Sequence, residues 1–327
     1  MRSERRSVNH QQAWAIVLAG GDGTRLNSFT RSIAGDDRPK QFCRLYGGKT
    51  LLAHTRARLA PAIAPERTLF TLVRHHETFY SEELAGVKPS HMVVQPSNKG
   101  TTVAIINSLL RVTSLAGDPV VAFFPTDHHY SREGRFVAAV RLALNIVSTR
   151  LDTVILLGAD AEHPEVEYGW IEPGASVQCP LTNSLVGVRR FWEKPSTLVA
   201  QALLAHGCLW NTFVMIGRAS AFLDMLYAAV PGLMRALDSG NGCLRAELSL
   251  PPGDEAYATL HPGDFSQQVL SVSTARLAVL RLGNIGWSDL GTPERVKSAI
   301  ARAGFRPHGT GFGQNENIED LAKTSVS

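Results

Sequence analysis

Near the start of the chain, a loop with three glycines is followed by an arginine and, further on, a lysine. The apolar run 13–18 leads into this loop, Arg25 lies at its end, and Lys40 follows in the segment 38–42. Glycine N–H groups can close on an anion because no Cβ keeps it away from the backbone. Two cations beside such a loop suit a triphosphate, and the alternative is an ordinary turn with solvated cations. The loop residues assigned to nucleotide binding are Ala19, Gly20, Gly21, Gly23 and Thr24.

Two other phosphate-binding patterns are only partly present. The dinucleotide fingerprint needs a third glycine where this chain has Leu26, and the next helical pattern begins only near residue 49. The segment Gly48-Lys49-Thr50 matches the end of a P-loop, but Cys43 stands where that motif needs glycine. The first departure argues against hydride transfer, and the second favours an ordinary surface helix at Lys49.

Two aspartates follow apolar strands that are far apart in the chain. Asp127 comes just after the run 120–125, and Asp289 follows the strand 277–282 with glycines on both sides. The carboxyl ends of parallel strands share one edge of a sheet, where ligands bind. Carboxylate oxygens suit Mg²⁺, which leaves room for substrate phosphates, so we predict that both aspartates bind it. A cap at a strand end is the alternative for Asp127, and His128 is a poorer ligand because imidazole prefers softer metals.

The composition is that of an ordinary globular protein. The chain has 327 residues, of which 44% are hydrophobic, and 33 Lys and Arg against 29 Asp and Glu give a net charge of +4. This excess suits anionic small molecules, and without a basic stripe interleaved with aromatics we expect no nucleic-acid partner. The four cysteines form no C-x-x-C pair, which argues against a zinc site or a disulfide framework. No apolar run approaches the ~20 residues of a membrane span, so we expect a cytoplasmic protein.

Short apolar strands alternate with amphipathic helices, which predicts an α/β sheet with parallel pairing. We expect a basic, disordered segment over 1–12, one catalytic domain over 13–305 and a polar tail over 306–327. The predicted strands are 14–19, 68–73, 92–95, 119–124, 153–158, 186–193, 208–217 and 277–282. The predicted helices are 49–60, 76–84, 101–115, 132–148, 196–206, 219–237 and 293–303.

Several segments, in order, resemble the sugar-phosphate nucleotidyltransferase family, and Pro39-Lys40-Gln41-Phe42 resembles its mannose-1-phosphate guanylyltransferase branch. The resemblance implies the nucleotide-diphospho-sugar transferase fold, a Rossmann-like three-layer α/β/α structure with a mixed, mainly parallel sheet. It extends over most of the predicted catalytic domain, and so many ordered segments are far more specific than one glycine loop. The matching segments are 19–26, 38–42, 95–101, 124–128, 168–171, 191–195, 210–211 and 286–291.

This resemblance also implies a reaction and a role for each matching residue. GTP and α-D-mannose 1-phosphate would give GDP-mannose and pyrophosphate with Mg²⁺, by in-line attack on the α-phosphorus. Arg25, Lys40 and Asp127 would be catalytic, and Asp127 and Asp289 would bind the metal ion. The segment with Gln95, Asn98, Gly100 and Thr101 would bind the nucleotide, although these residues also favour turns. The sugar phosphate would contact Gly169, Glu193, Lys194 and Asn211, where a surface ion pair is the alternative for Glu193 and Lys194.

Other functions stay open at this point. Residues 27–37 lie between Arg25 and Lys40 as an insertion relative to the family, which bears on base choice. The chain could instead use UTP or ATP with glucose 1-phosphate, or be a non-catalytic regulatory protein that binds nucleotide sugars. A glycosyltransferase is disfavoured because no Asp-x-Asp follows a strand. We expect no fused isomerase cupin or long left-handed β-helix, and a homodimer is compatible with the sequence.

Overall fold

A nine-stranded mixed sheet lies at the centre of the computed structural model, which describes residues 12–239 and 257–302. The strands are β1 (Trp14–Leu18), β2 (Thr68–Val73), β3 (Met92–Gln95), β4 (Val120–Pro125), β5 (His129–Tyr130), β6 (Val154–Asp160), β7 (Gly169–Ser176), β8 (Leu185–Glu193), β9 (Leu209–Arg218), β10 (Leu277–Arg281) and β11 (Trp287–Ser288). The central sheet has the order β3-β2-β1-β4-β9-β6-β10-β8-β7, and β5 pairs separately with β11. The predicted tail lies outside the described residues, as does the predicted N-terminal segment apart from Gln12.

Most strands of the central sheet point in one direction. β1 pairs in parallel with β2 and β4, β2 pairs in parallel with β3, and β6 with β10. β9 lies antiparallel between β4 and β6, with Asn211 opposite Gly158 near the carboxyl end of β6. The carboxyl ends of β1, β2, β3 and β4 therefore meet at one edge, and the start of β9 joins them there. This edge receives the glycine loop, the segment after Gln95, and Asp127.

Helices cover both faces of the sheet, which confirms the predicted three-layer α/β/α fold. The helices are α1 (Asn27–Ala34), α2 (Leu51–Leu59), α3 (Glu77–Tyr80), α4 (Gly100–Ala116), α5 (Glu133–Val147), α6 (Thr197–Ala205), α7 (Ala219–Ala229), α8 (Pro231–Ser239), α9 (Phe265–Gln268) and α10 (Pro293–Arg302). α2, α5 and α6 bury Leu52, Val140 and Leu203 against one face. α4 and α7 bury Ile106 and Phe222 against the other. None of the described helices is long and apolar enough to cross a bilayer.

The structure differs from the predicted elements in several places. Predicted helix 76–84 is only the short α3, and predicted helix 219–237 is divided into α7 and α8. The division falls at Pro231, which has no N–H to continue the helix but suits the first position of a new one. Strand β7 was not predicted, because Pro173 and Gly174 interrupt its apolar pattern.

The insertion between Arg25 and Lys40 also corrects the prediction that no helix begins before residue 49. It forms α1, whose Phe29 is buried in a separate cluster with Leu290, Val296 and Ile300. The helix ends at Gly35, which has φ 81° and ψ 0°, a conformation that glycine adopts without a Cβ penalty. The inserted helix therefore packs against α10 and against the loop that carries Asp289.

Candidate active site

A cleft of about 580 Å³ opens at the carboxyl edge of the sheet. A larger hollow of about 720 Å³ lies around Trp14, Val120 and Arg218 at the opposite edge, away from every predicted site residue. We therefore assign the candidate site to the smaller cleft. Predicted site residues that line it are Gly20, Gly21, Gly23, Lys40, Gln95, Asn98, Gly100, Thr101 and Asp127.

The glycine loop is held in shape by a glutamine that sequence reasoning left without a role. Gln41 is buried, and its Nε2 donates hydrogen bonds to the carbonyl oxygens of Ala19 (2.9 Å) and Gly21 (2.7 Å). Gly23 has φ +65°, and a Cβ there would lie 3.3 Å from the backbone nitrogen of Lys40. The loop and the segment around Lys40 thus form one packed unit, so the position of the Lys40 side chain depends on the loop.

Lys40 and Asp127 form an ion pair at the floor of the cleft. Lys40 Nζ lies 2.6 Å from Asp127 Oδ2. Burial raises the pKa of Asp127, but the charge of Lys40 and its hydrogen bond lower it, and the pKa lies below its ordinary value. His128 is buried, and its Nδ1 accepts a hydrogen bond of 3.2 Å from Trp287 Nε1, which leaves the proton of the neutral ring on Nε2, 3.8 Å from Asp127 Oδ1. Asp127 is therefore ionised at neutral pH.

Asp289 approaches the same lysine through its backbone and not through its carboxylate. Lys40 Nζ lies 3.5 Å from the carbonyl oxygens of both Asp289 and Leu290. The Asp289 carboxylate instead accepts hydrogen bonds from Tyr168 Oη (3.1 Å), the Gly291 amide (2.9 Å) and Arg295 Nη1 (2.9 Å). All three of these hydrogen bonds reach Oδ1, and none of them reaches Oδ2.

The donor set at this edge fits Mg²⁺. Asp127 offers a carboxylate at the cleft, Asp289 offers one oxygen, and Mg²⁺ in proteins commonly uses one or two carboxylates together with substrate phosphates. Lys40 contacts the Asp127 carboxylate and the Asp289 backbone carbonyl, so the two residues lie near each other although they are distant in sequence. That they share one ion stays a prediction.

Arg295 is a site residue that sequence reasoning missed. Its guanidinium bonds Asp289 Oδ1 and also lies 2.6 Å from Glu165 Oε2 and 4.5 Å from the centre of the Tyr168 ring. Its side chain is only 15% exposed, so it belongs to the interior of the site. In the sequence it is one of several charged residues of an amphipathic helix, and no spacing distinguishes it from a solvated one.

Arg25 is not one of the residues that line the cleft. Its Nη1 pairs with Glu167 Oε2 at 2.9 Å, and both side chains are largely exposed, at 60% and 47%. An exposed pair of this kind contributes little to stability, so an anionic ligand can take the guanidinium from Glu167 at little cost.

The predicted base-binding segment is held in place by residues 257–268, which the sequence analysis did not single out. Gln95 is buried and its Oε1 accepts a 2.8 Å hydrogen bond from Tyr257 Oη. Asn98 Oδ1 accepts from the Gly100 amide at 2.9 Å. Gly100 has φ +81°, and a Cβ there would lie 2.3 Å from the carbonyl oxygen of Gly263. One wall of the cleft is therefore built by the close approach of two loops, and that approach requires glycine.

The predicted sugar-phosphate residues form a second group. Gly169 pairs with Glu193 across β7 and β8, and a Cβ at Gly169 would lie 3.0 Å from Glu193 Oε2. Burial, with the nearby charge of Asp264, raises the pKa of Glu193 to about 7. Asp264 lines the cleft, so its neighbour Glu193 lies beside the cleft. Lys194, next in the chain, has φ 45°, a strained conformation for a side-chain-bearing residue.

Asn211 completes this group from β9. It is buried, and its Oδ1 accepts a hydrogen bond of 3.1 Å from the Phe213 amide. Phe213 has φ 55° and lines the cleft, so this part of β9 also has a strained backbone. The side-chain NH₂ of Asn211 is a donor group at the carboxyl edge of the sheet.

The sequence matches one family model and several known proteins. The family described as nucleotidyl transferase matches residues 14–303. A xanthan biosynthesis protein XanB of Xanthomonas campestris pv. campestris (strain B100) is 31% identical over 280 residues, which are 85% of this chain and 57% of that protein. A mannose-1-phosphate guanylyltransferase of Escherichia coli (strain K12) is 27% identical over 85% of this chain and 58% of its own length. This chain thus spans little more than half the length of these relatives.

A solved structure gives the same fold. It comes from Thermus thermophilus, is described as a mannose-1-phosphate geranyltransferase, and is 27% identical to this chain. The TM-score is 0.75, and the match covers 89% of this chain and 79% of that one.

Proposed function

The chain belongs to the nucleotidyl transferase family, and on that basis we propose that it joins GTP to α-D-mannose 1-phosphate, giving GDP-mannose and pyrophosphate. The names of the relatives, among them a mannose-1-phosphate guanylyltransferase, support this choice of base and sugar. The observation that carries the proposal is the position of Lys40, whose ammonium contacts Asp127 and the Asp289 loop at the floor of the cleft.

The reaction needs positioning and charge more than it needs a nucleophile from the protein. The oxygen of the sugar phosphate is already an anion at neutral pH, so it attacks the α-phosphorus in line and pyrophosphate leaves. Two anions must approach each other for this, and fixed cations remove the repulsion between them. Lys40 and Lys194 would neutralise the reacting phosphates, and Arg25 would leave Glu167 to bind the departing pyrophosphate.

The other groups hold the two substrates. The amides of the loop around Gly20, Gly21 and Gly23 would bind the triphosphate. Glu193 and the Asn211 amide would bind sugar hydroxyls, with Gly169 allowing the ring to approach the backbone. The nucleobase would lie against the wall formed by the Gln95 segment.

Asp127 and Asp289 would hold Mg²⁺, which when bound supplies positive charge that draws together the α-phosphate and the sugar phosphate. Asp127 is ionised at neutral pH because Lys40 stabilises its charge, so it is ready to act as a ligand. Arg295 would keep the Asp289 carboxylate in one orientation.

Release of pyrophosphate from a panel of substrates tests the proposal. The chain is incubated with Mg²⁺ and each combination of GTP, UTP or ATP with mannose 1-phosphate or glucose 1-phosphate. We expect GTP with mannose 1-phosphate to react fastest, by at least about tenfold. Faster reaction of UTP or ATP with glucose 1-phosphate would instead assign another member of the family. Binding of GDP-mannose without pyrophosphate release from any pair would identify a regulatory protein.

A further inference from the structure

Three metal-ligating side chains converge beside the glycine loop, apart from Asp127 and Asp289. Asp22 lies in the loop after β1, and His75 and His76 lie in the turn after the neighbouring strand β2. Asp22 Oδ1 is 3.2 Å from His75 Nε2 and 3.7 Å from His76 Nε2. The three ligand atoms all lie within 4.8 Å of one another. They come from loops that two paired parallel strands fix side by side.

The contacts within this cluster are not those of an ordinary ion pair. Asp22 Oδ1 is buried, yet among the described residues no hydrogen bond of acceptable geometry reaches it, although both imidazole nitrogens are near. A buried carboxylate oxygen without a partner is costly. A positive ion between the three atoms would satisfy all of them at once.

The distances suit a small divalent ion. Ligand atoms about 2.1 Å from a tetrahedral Zn²⁺ lie roughly 3.4 Å from one another. The two separations from Asp22 Oδ1, 3.2 and 3.7 Å, are close to that value, and the ligand atoms of His75 and His76 lie within 4.8 Å of each other. The side chains of His75 and Asp22 are 56% and 38% exposed, which gives an ion a path from solvent.

We propose that Asp22, His75 and His76 bind a divalent transition-metal ion of the Zn²⁺ class. Two imidazoles and one carboxylate are the ligands that such ions prefer, whereas Mg²⁺ prefers a set of oxygen atoms. Three protein ligands leave a fourth position for water.

Such an ion would stiffen the nucleotide loops. The other carboxylate oxygen of Asp22, Oδ2, accepts a 2.9 Å hydrogen bond from Asn98 Nδ2. Asp22 therefore connects the ion to the segment after β3 as well as to the loops after β1 and β2. An ion on Oδ1 fixes the orientation of the carboxylate, and with it the position of Asn98 at the rim of the cleft.

Zn²⁺ binding to the chelator-treated full chain, measured by titration calorimetry, tests the proposal without reference to activity. We compare the wild-type chain with His75→Ala, whose exposed side chain can be removed without loss of the fold, and with Asp22→Asn. The control is His206→Ala, which removes an exposed histidine at the end of α6 whose Nδ1 lies 2.6 Å from the Ala202 carbonyl oxygen. Each variant is checked for folding by circular dichroism.

We expect one equivalent of Zn²⁺ to bind to the wild type and to His206→Ala. Affinity should fall by more than roughly tenfold in His75→Ala and Asp22→Asn, because even loss of an outer partner of a metal ligand costs 10–100-fold. Excess Mg²⁺ should not displace the ion. The proposal is overturned if the wild type binds no stoichiometric Zn²⁺, if the two ligand variants bind as tightly as the control, or if Mg²⁺ competes at equal concentration.

Discussion

Replacing Lys40 with methionine removes the ammonium that lies 2.6 Å from Asp127 Oδ2, where the two side chains are 14% and 26% exposed. Opposite unit charges at this separation attract by about 6 kcal/mol at an effective dielectric constant of 20. Dehydration of both groups offsets most of this, and breaking a buried pair costs roughly 3–5 kcal/mol. Because Asp127 keeps some contact with water, we expect Lys40→Met to lower the free energy of unfolding by roughly 2–3 kcal/mol.

The same substitution should reduce turnover and change its pH dependence. Loss of a cation that meets the reacting phosphates should cost about 10²–10³ in turnover. The pKa of Asp127 should rise without Lys40, so the acid limb of the pH–rate profile should move to higher pH. Pyrophosphate release and urea unfolding measure the two effects. Lys49→Met, which removes an exposed lysine, should leave both unchanged.

A double variant separates the two roles of the lysine. Lys40→Met combined with Asp127→Asn removes both charges with little change of shape, so stability should return toward the wild-type value. Turnover should stay low, because neither charge is then present to act on substrate. The reasoning fails if Lys40→Met alone keeps near-wild-type turnover, or if the double variant recovers it.

Three further predictions, two of them with a second substitution for comparison, test other parts of the site. The pKa of Glu193 is raised to about 7 in the folded chain, so ionisation of Glu193 opposes folding and the wild type should lose stability as pH rises from about 5 to 8. Glu193→Gln should lack this loss and so become more stable than the wild type over that range, as measured by urea unfolding. An equal pH dependence of stability in both proteins would refute this. Arg25→Ala should lower turnover by about 10²–10³. Glu167→Gln should free Arg25 and keep turnover and stability near the wild-type values. A large loss of turnover in Glu167→Gln would show that the ion pair itself is needed. Gly100→Ala should lower the free energy of unfolding by more than about 2 kcal/mol and weaken GTP binding. Gly35 has the same φ but open space around it, so Gly35→Ala should show only the backbone penalty of about 1–2 kcal/mol in thermal unfolding. Equal losses in the two variants would mean that the contact with Gly263 is unimportant.

The parallel part of the fold could be predicted because its strands are short, apolar and separated by clear helical patterns. β1, β2, β3 and β4 were predicted nearly to their observed ends. The helix α1 was missed because its apolar residues serve a small cluster with α10 and not the main core, so nothing nearby in sequence signals its partner. β7 was missed because proline and glycine stand within it.

The candidate site was predictable where a residue directly follows a strand. Asp127 and the glycine loop do so, and the structure brings them together with Lys40. The sequence analysis missed three residues that act on other side chains or on backbone oxygens: Arg295, Tyr257 and Gln41. Such contacts form only when segments distant in sequence come together, so residue type and spacing do not indicate them.

A crystal structure of the full chain with GDP-mannose and Mg²⁺ tests the central claim most directly. We expect the diphosphate within hydrogen-bonding distance of Lys40 and the amides of the glycine loop, and the sugar against Glu193 and Asn211. A diphosphate bound away from Lys40, or a sugar that contacts neither Glu193 nor Asn211, would contradict the account.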